Sequence, residues 1–376
     1  MKEGWKKVKL MDNCSVTTGK NDANHAVDNG RYRFYTCASE YLYCNTYKYD
    51  GACIILPGNG ANVGDVYFYE GKFDAYQRTY VIDNISPKVL PFYLYYQLQY
   101  GWKTYGVAKQ YGSATNYIKI GNFKDYEFLC PDIDTQKEIV EYLDSSFAKI
   151  DKLKENAAKN LEEAKALFQS ALKNALEPKE GWEEKTLGEL GSLKNGMNFT
   201  KNESGTELHI LGVGDFGNLF SISNTENLPI ISLNEIPSDD YMLENEDIVF
   251  VRSNGNKNLV GRCVLVYPNN IKTSFSGFCI RFRKNSSKID AKYLTYFLKA
   301  PNTRKEIAGN GANISNLNQK VLQSLAIPFP SLPEQQSIVS HLDSLNEKLN
   351  TLQQNYSRIC DECDALKQAI LRQVFE

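Results

Sequence analysis

The C-terminal stretch, residues 335–376, carries the pattern that most restricts what this chain can fold into. Apolar side chains recur there in alternating steps of four and three residues, the period that keeps one stripe of a helix facing a partner helix. The stripe consists of Ile338, Leu342, Leu345, Leu349, Leu352, Tyr356, Ile359, Cys363, Leu366 and Ile370. The stretch contains no Pro or Gly, so at about 1.5 Å of rise per residue it predicts one helix on the order of 60 Å long. A helix of that length is not the buried helix of one compact domain.

An earlier stretch repeats this helix. A constant offset aligns the following pairs: Pro131 with Pro330, Gln136 with Gln335, Ile139 with Ile338, Leu143 with Leu342, Asp144 with Asp343, Leu153 with Leu352 and Leu167 with Leu366. The apolar stripe of the first copy consists of Ile139, Leu143, Phe147, Ile150, Leu153, Ala157, Leu161, Ala164, Phe168, Ala171 and Ala175. The two stripes are therefore candidate partners in an antiparallel coiled coil. A helix that caps its own domain, or one that forms a homodimeric coil, is the alternative, and periodicity does not choose among these.

The repeat includes the segments that precede the helices. Glu3-Gly4-Trp5 opens the first half and Glu180-Gly181-Trp182 opens the second. Duplication of this kind sets the architecture. It predicts an α+β fold with two β-rich globular domains in tandem, each followed by a long helix. The segments are domain 1 at residues 1–130, helix 1 at 131–177, domain 2 at 178–329 and helix 2 at 330–376.

Short runs of aromatic and β-branched residues, separated by Gly, Asn and Asp, predict the strands of both domains. In domain 1 they lie at residues 32–36, 51–56, 66–69 and 80–82, and in domain 2 at 248–251, 262–266 and 278–282. A short helix is predicted near 91–100 in domain 1 and near 291–298 in domain 2. Outside these shared segments the sequences of the two domains have diverged, which suggests two related but different targets.

Formal charge separates the domains from the helices. The net charge of the chain is −2, a poor match to a simple nucleic-acid binder. The domains are mildly basic, with +3 for residues 1–130 and +1 for 178–329, whereas residues 131–177 and 330–376 each carry −3. If phosphate is bound, the domains should bind it, and the acidic helix faces suit protein partners or solvent.

The nine scattered cysteines do not form the spacing of a disulfide framework. Cys360 and Cys363 have C-x-x-C spacing, but Cys363 occupies an apolar-stripe position, which favours a small buried residue over a zinc ligand. No apolar run approaches the roughly 20 residues needed to cross a bilayer. The N-terminal residues lack the apolar segment of a secretory signal, so we expect a cytoplasmic protein.

Enzymatic signatures are scarce. The chain has no G-x-x-x-x-G-K-[ST] phosphate loop, and the glycine run at residues 58–64 has Val63 where a dinucleotide fingerprint needs its third Gly. Only three histidines are present, none spaced for a metal or an acid–base site. Asp50, Glu70 and Lys72 have the residue types of a Mg²⁺-dependent nuclease. A solvated hairpin turn is the better explanation of Glu70-Gly71-Lys72.

Loops that mix Gly, Asn, Gln, Ser, Thr and Arg occur at equivalent places in the two domains. Arg can pair bidentately with guanine and Asn or Gln with adenine, while Lys, Ser and Thr suit phosphate. Turns favour many of the same residues, so loop composition alone does not establish DNA binding. The candidate DNA-binding residues are Thr18, Lys20, Asn21, Gln77, Arg78, Thr79 and Ser113 in domain 1, and Lys194, Asn195, Arg252, Ser253, Asn254, Asn256 and Asn313 in domain 2.

Three features of the sequence share one resemblance. They are the run Leu325-Ala326-Ile327-Pro328-Phe329-Pro330-Ser331-Leu332-Pro333-Glu334-Gln335, the preceding Gly311-Ala312-Asn313-Ile314-Ser315 and the paired Gly-Trp openings. Together they resemble the specificity subunit of type I restriction-modification systems. The resemblance covers essentially the whole chain. The first copy departs from the motif, because Cys130-Pro131-Asp132-Ile133-Asp134-Thr135-Gln136 lacks the second Pro and the Glu before Gln. The departure weakens the residue match there but not the repeat.

The resemblance implies that each domain reads one half of a split site in double-stranded DNA and that the two helices act as an antiparallel spacer. It implies no catalytic centre, cofactor or metal in this chain. Two modification subunits would methylate adenine with S-adenosylmethionine, and two restriction subunits would use ATP and Mg²⁺ to translocate and cut DNA. We also expect the chain alone to bind DNA weakly and to bind more tightly with its partner.

If the helices set the spacing, their length should determine it. One added turn lengthens a helix by about 5.4 Å, which is roughly one and a half base pairs at 3.4 Å each. Inserting four residues near Lys154 should therefore change the spacer and leave both half-sites unaltered. The alternative function is a scaffold with two ligand-binding domains on a coiled coil and no DNA. Steeply salt-dependent DNA binding would separate the two.

Overall fold

The computed structural model describes residues 4–108, 111, 116–199, 204–308 and 316–376. The chain divides into two compact units, Met1–Lys159 with Asn355–Glu376, and Asn160–Gln354. Each unit therefore contains one β-rich domain and segments of both long helices. Within the described ranges no helix is both long and apolar enough to span a membrane.

The first unit contains a four-stranded and a three-stranded sheet, with strand orders β2-β8-β5-β6 and β4-β3-β7, and a β1-β9 pair. The strands are β1 (Lys6–Lys9), β2 (Ser15–Thr18), β3 (Tyr32–Tyr35), β4 (Leu42–Cys44), β5 (Ala52–Pro57), β6 (Tyr67–Glu70), β7 (Phe73–Ala75), β8 (Thr79–Asp83) and β9 (Glu127–Cys130). The helices are α1 (Pro91–Ala108), α2 (Gly121–Lys124) and α3 (Ile133–Leu176), with 3₁₀ turns at Leu10–Asp12 and Ala23–His25. Helix α1 continues past the predicted end at residue 100.

The second unit has a five-stranded sheet of order β11-β18-β15-β16-β13, a three-stranded sheet of order β14-β12-β17, and a β10-β19 pair. The strands are β10 (Glu183–Thr186), β11 (Gly191–Asn195), β12 (Thr206–Leu211), β13 (Ser221–Ile222), β14 (Ile230–Leu233), β15 (Asp247–Val251), β16 (Cys263–Val266), β17 (Thr273–Phe275), β18 (Cys279–Lys284) and β19 (Ala326–Phe329). The helices are α4 (Leu187–Leu190), α5 (Ala291–Lys299), α6 (Pro301–Ile307), α7 (Gln319–Gln323) and α8 (Leu332–Phe375), with 3₁₀ turns at Val213–Asp215, Asp239–Tyr241 and Lys257–Leu259.

The two domains share one topology. The parallel pair β3–β7 of domain 1 corresponds to the parallel pair β12–β17 of domain 2. The antiparallel series β2–β8–β5–β6 corresponds to β11–β18–β15–β16. The duplicated α+β architecture predicted from the sequence is therefore confirmed.

Helices α3 and α8 each contain 44 residues. Within the first unit they run antiparallel, because Lys154 pairs with Asp364 at 2.8 Å and Asp151 pairs with Lys367 at 2.6 Å. The apolar stripes contribute to that contact. Of the stripe residues, Leu143, Phe147, Ile150 and Cys363 belong to the core of the first unit, and Ile359 and Ile370 pack against that core. The predicted pairing of the two stripes is confirmed there, and Cys363 is a small buried residue as expected.

The prediction that the apolar stripes are buried is wrong at three positions. Leu153, Leu352 and Leu366 are 55%, 40% and 49% exposed. An α-helix has 3.6 residues per turn, so a strict 3.5-residue repeat drifts around the helix by about 20° per heptad. Sustained over many turns, such a drift moves some stripe positions out to solvent.

A buried glutamine attaches the start of each long helix to its domain. In domain 2, Gln335 accepts a hydrogen bond from the Asp290 amide (2.8 Å) and donates to the carbonyls of Lys288 (3.1 Å) and Pro330 (2.9 Å). Gln136 makes the same three contacts in domain 1, with the Leu90 amide (2.8 Å) and the carbonyls of Lys88 and Pro131 (2.9 Å each). The glutamine is therefore conserved between the two copies because it satisfies buried backbone groups.

A tyrosine–aspartate hydrogen bond repeats the attachment further along each helix. Tyr96 on α1 donates to Asp144 on α3, and Tyr296 on α5 donates to Asp343 on α8 at 2.7 Å. Burial, together with the adjacent carboxylate, raises the pKa of both phenols. Both tyrosines therefore remain neutral donors at physiological pH.

Candidate nucleic-acid interface

Three backbone hydrogen bonds join the candidate DNA-binding loops of domain 1 to one another and to the turn at Gly58. The Gly58 amide, just after β5, donates to the Arg78 carbonyl at 2.9 Å, and the Ile118 amide donates to the Gly58 carbonyl at 2.9 Å. The Gly19 amide, after β2, donates to the Thr79 carbonyl at 3.2 Å. Loops that are distant in sequence therefore lie side by side.

Domain 2 has the same three bonds. The Arg252 amide, just after β15, donates to the Phe278 carbonyl at 2.8 Å, and the Leu317 amide donates to the Arg252 carbonyl at 2.8 Å. The Gly196 amide, after β11, donates to the Cys279 carbonyl at 3.0 Å. We call these two sets of bonds the loop frame of each domain.

Each loop frame needs a glycine directly after one strand, Gly19 after β2 and Gly196 after β11. A Cβ on Gly19 would lie 1.8 Å from the Ala75 carbonyl oxygen, and one on Gly196 would lie 2.1 Å from the Ser276 carbonyl oxygen. No side chain fits at such distances. The glycines noted in the candidate loops therefore allow close backbone approach.

In domain 1 the frame presents exposed polar side chains. Lys20, Gln77 and Arg78 are exposed. Asn21 is half-buried, and its Nδ2 donates to Oδ2 of the buried Asp74 at 2.8 Å. The Gln77 amide donates to the Asn21 carbonyl at 3.0 Å, so these candidates do come together. Half-buried Thr18 lies at the end of β2, with its carbonyl bonded to Lys48 and Tyr49.

Thr79 does not join this surface. It is fully buried, and its hydroxyl lies 3.8 Å from Cys37 Sγ. Thr79 begins β8, where successive side chains point to opposite faces, and its side chain points into the domain. It therefore supports the turn and does not face DNA, contrary to the prediction. Ser113 lies outside the described residues, as does Asn313 in domain 2.

In domain 2 the frame borders an open depression of about 670 Å³. Two sequence candidates, Asn195 and Arg252, line it together with residues that the sequence did not single out: Asn316, Leu317, Asn318, Gln319, Lys320 and Gln323. Among the residues that the structure describes, the lining contains two cations and several amides but no carboxylate. Such a surface can hydrogen-bond base edges and attract phosphate.

Lys194 faces elsewhere. Its Nζ lies 3.1 Å from Asp240 Oδ2 and 4.7 Å from the centroid of the Tyr241 ring. The hydrogen bond from Lys194 lowers the pKa of the Asp240 carboxyl. Lys194 and Asn195 are consecutive in β11 and so point to opposite faces, and only Asn195 lines the depression.

The other domain 2 candidates form the loop that follows β15. Ser253 pairs with Asn316 in an isolated bridge. The side chains of Asn254 and Asn256 accept hydrogen bonds from the amides of Asn256 (2.8 Å) and Asn258 (3.1 Å). Both asparagines therefore shape the loop through their side-chain oxygens.

The family model for the type I restriction modification DNA specificity domain matches this chain twice, at residues 2–163 and 179–359. The chain belongs to that family. The two matches coincide with the two halves of the repeat, so each loop frame lies within one copy of the specificity domain. The family is one of recognition domains and not of catalytic ones.

Curated proteins that are similar to this chain are also type I specificity subunits. The chain is 28% identical over 400 residues to the type I restriction enzyme EcoDI specificity subunit of Escherichia coli, covering 99% of this chain and 88% of the relative. It is also 28% identical to the StySPI specificity subunit of Salmonella potsdam, over 70% of this chain and 60% of the relative.

Solved structures show the same fold. A chain from a type I R-M system, solved to describe complex assembly and conformational transition, aligns with a TM-score of 0.76 at 16% identity, covering 100% of this chain and 98% of that one. The HsdS subunit from Thermoanaerobacter tengcongensis aligns with a TM-score of 0.56 at 16% identity, covering 100% of this chain and 97% of that one.

Sequence reasoning missed several exposed side chains of this specificity-domain surface. Phe278 is 60% exposed on the turn that corresponds to the Arg78 turn. In domain 1, Tyr111 and Tyr117 are 46% and 37% exposed, their rings stack with centroids 5.6 Å apart, and Lys119 Nζ lies 4.6 Å from the Tyr111 ring centroid. The sequence places Phe278 in the predicted strand at residues 278–282, and strand periodicity by itself does not indicate its exposure. The repeat could have identified Phe278, since it aligns with an exposed arginine.

The nuclease alternative gains no support. Lys72 Nζ lies 4.5 Å from the centroid of the Tyr47 ring, and the hydrogen bond to Tyr47 raises the pKa of Lys72. Among the residues that the structure describes, no group of three or more His, Cys, Asp or Glu side chains could hold a metal ion.

Proposed function

We propose that this chain is the DNA specificity subunit of a type I restriction-modification complex and that each domain reads one half of a bipartite, asymmetric target. The observation that carries the proposal is the loop frame. The same three backbone hydrogen bonds occur in both domains, but they present different side chains. One scaffold with two different surfaces fits the reading of two different half-sites.

The chemistry of the surfaces supports DNA as the ligand. Arg78 in domain 1 and Arg252 in domain 2 are suited to bidentate contact with guanine, and neighbouring Gln77 and Asn195 are suited to adenine. Lys20 and Lys320 are exposed beside them and suit phosphate. The domains, and not the acidic helices, carry these groups.

Partner subunits supply the chemistry in this proposal. Two modification subunits methylate adenine with S-adenosylmethionine, and two restriction subunits use ATP and Mg²⁺. Exposed leucines on the long helices support two equivalent docking sites. The first unit exposes Leu153 and Leu366, and the second exposes the repeat-related Leu352 and Leu167, the latter 71% exposed.

Methylome sequencing tests the proposal most directly. We expect a host that expresses this chain with its cognate modification subunits to carry methylated adenines in a single bipartite motif. Arg252→Ala should relax one half of the motif and Arg78→Ala the other. Methylation without a bipartite motif, or a motif insensitive to both substitutions, would contradict the proposal.

Insertions in the long helices test the spacer role separately. Four residues added after Lys159 and after Gln354 fall where α3 and α8 pass from one compact unit to the other, so the contacts within each unit are retained. We expect a longer spacer with unchanged half-sites. Altered half-sites at an unchanged spacing would refute this role.

Binding measurements separate DNA recognition from a scaffold that does not bind DNA. The complex with modification subunits should bind its site with affinity that falls steeply as salt rises, because neutralised phosphates release counterions. The chain alone should bind more weakly. Equal affinity with and without the modification subunits would contradict the expectation that the partner tightens binding.

A further inference from the structure

Phe278 occupies the position in domain 2 that Arg78 occupies in domain 1. Each residue lies on a four-residue turn closed by a 2.8 Å backbone hydrogen bond, from Cys279 to Ser276 and from Thr79 to Tyr76. Each carbonyl accepts from the residue that follows the central strand, Arg252 or Gly58. The frame therefore presents an apolar ring in one domain where it presents a guanidinium in the other.

The backbone around Phe278 is held on several sides. Its carbonyl accepts hydrogen bonds from the amides of Arg252 (2.8 Å) and Ser253 (3.3 Å), and its own amide donates to Ser276 Oγ at 3.3 Å. The adjacent Gly277 donates to the Met197 carbonyl at 2.7 Å. The ring is nevertheless 60% exposed, so it is presented outward from a fixed turn and does not serve the core.

The surroundings of the ring point to DNA as its partner. The Arg252 amide donates to the Phe278 carbonyl, and Arg252 also lines the depression, whose described lining includes Asn195 and Lys320 but no carboxylate. Such a surface attracts a polyanion. An apolar side chain on the residue whose carbonyl is bonded to Arg252 adds no hydrogen bond, so what it can recognise is an apolar group on that polyanion.

DNA base edges offer one such group. In the major groove the C5-methyl of thymine is apolar, and it distinguishes thymine from every other base by contact with side chains such as Phe. We propose that Phe278 recognises the C5-methyl group of a thymine in the half-site read by domain 2. This inference rests on the proposed function and names a specificity-determining residue within it.

The test uses the full chain in complex with its modification subunits. Probes are duplexes that carry the methylome-defined site, with each thymine of both half-sites replaced singly by deoxyuridine, which removes only the methyl group. We expect one replacement, in the half-site that Arg252→Ala relaxes, to raise the Kd roughly fourfold, the factor that corresponds to about one buried methyl group.

Substitution of Phe278 should remove that sensitivity. Phe278→Ala should raise the Kd for the thymine duplex and bind the thymine and deoxyuridine duplexes equally, whereas Phe278→Leu should keep a preference for thymine. Ile230→Ala is the matched control, because Ile230 is 58% exposed on β14 of the same unit. It should bind like the wild-type complex and keep the methyl preference.

Two results would overturn the inference while leaving the proposed function intact. In one, no deoxyuridine replacement in the domain 2 half-site changes the Kd, although Phe278→Ala weakens binding, as for a ring that stacks on bases or wedges between them. In the other, Phe278→Ala binds and discriminates as the wild type does. Failure of the proposed function is distinguishable, since the wild-type complex would then show no preference for any sequence.

Discussion

The two domains carry different side chains on loop frames that share the same three backbone hydrogen bonds. Domain 1 places Gly58 after its central strand and Arg78 on the neighbouring turn, whereas domain 2 places Arg252 after the strand and Phe278 on the turn. The exchange is constrained, because a Cβ on Gly58 would lie 2.2 Å from the Arg78 carbonyl oxygen and 2.8 Å from the Tyr80 ring. Two copies of one fold thus present different side chains on a shared backbone frame.

The largest effect we expect is on the free energy of unfolding. It shows whether the two domains attach their long helices equally strongly. Gln335→Leu should lower the free energy of unfolding by roughly 3 kcal/mol or more, because it leaves one buried amide and two carbonyls unpaired at about 1–3 kcal/mol each. Gln136→Leu should cost a similar amount. Urea denaturation measures both.

The control for these variants is Gln353→Leu, at an exposed position of α8, which should leave stability nearly unchanged. A large loss for one buried glutamine and a negligible loss for the other would break the equivalence of the two attachments.

The next effect concerns base recognition. Arg252→Ala should cost roughly 1–3 kcal/mol of discrimination in one half-site and none in the other, and Arg78→Ala should do the reverse. Competition binding against single-base variants of the site measures this. Loss of specificity in both half-sites from either variant would show that the two domains do not read DNA independently.

The smallest effect distinguishes two lysines of domain 2. Lys320→Ala should weaken binding to all sequences alike and reduce the slope of log K against log salt by about 1, because Lys320 lines the depression. Lys194→Ala should leave that slope unchanged, because Lys194 pairs with Asp240 on the other face of β11. Titration over several salt concentrations decides it, and equal slopes for the two variants would contradict the assignment.

Much of the architecture could be predicted because it depends on local periodicity and on self-similarity. The long helices, most strands and the two-domain plan follow from patterns within the chain. The functional surface was harder. Thr79 and Lys194 have suitable chemistry but face away, while Phe278 resembles a core residue and is exposed. Residue type does not reveal which way a side chain points when a strand begins one residue earlier or later.

The sequence by itself determined that this protein consists of two copies of a domain followed by a long helix. An aligned repeat and a sustained apolar period are properties of residue order. Only the tertiary structure decided which residues form each candidate DNA surface. The loops of one surface come from segments far apart in the chain, and backbone hydrogen bonds such as Leu317 to Arg252, at 2.8 Å, bring them together. Such bonds join main-chain amides and carbonyls, which nearly every residue type carries. The residue types in a sequence therefore do not predict where these bonds form.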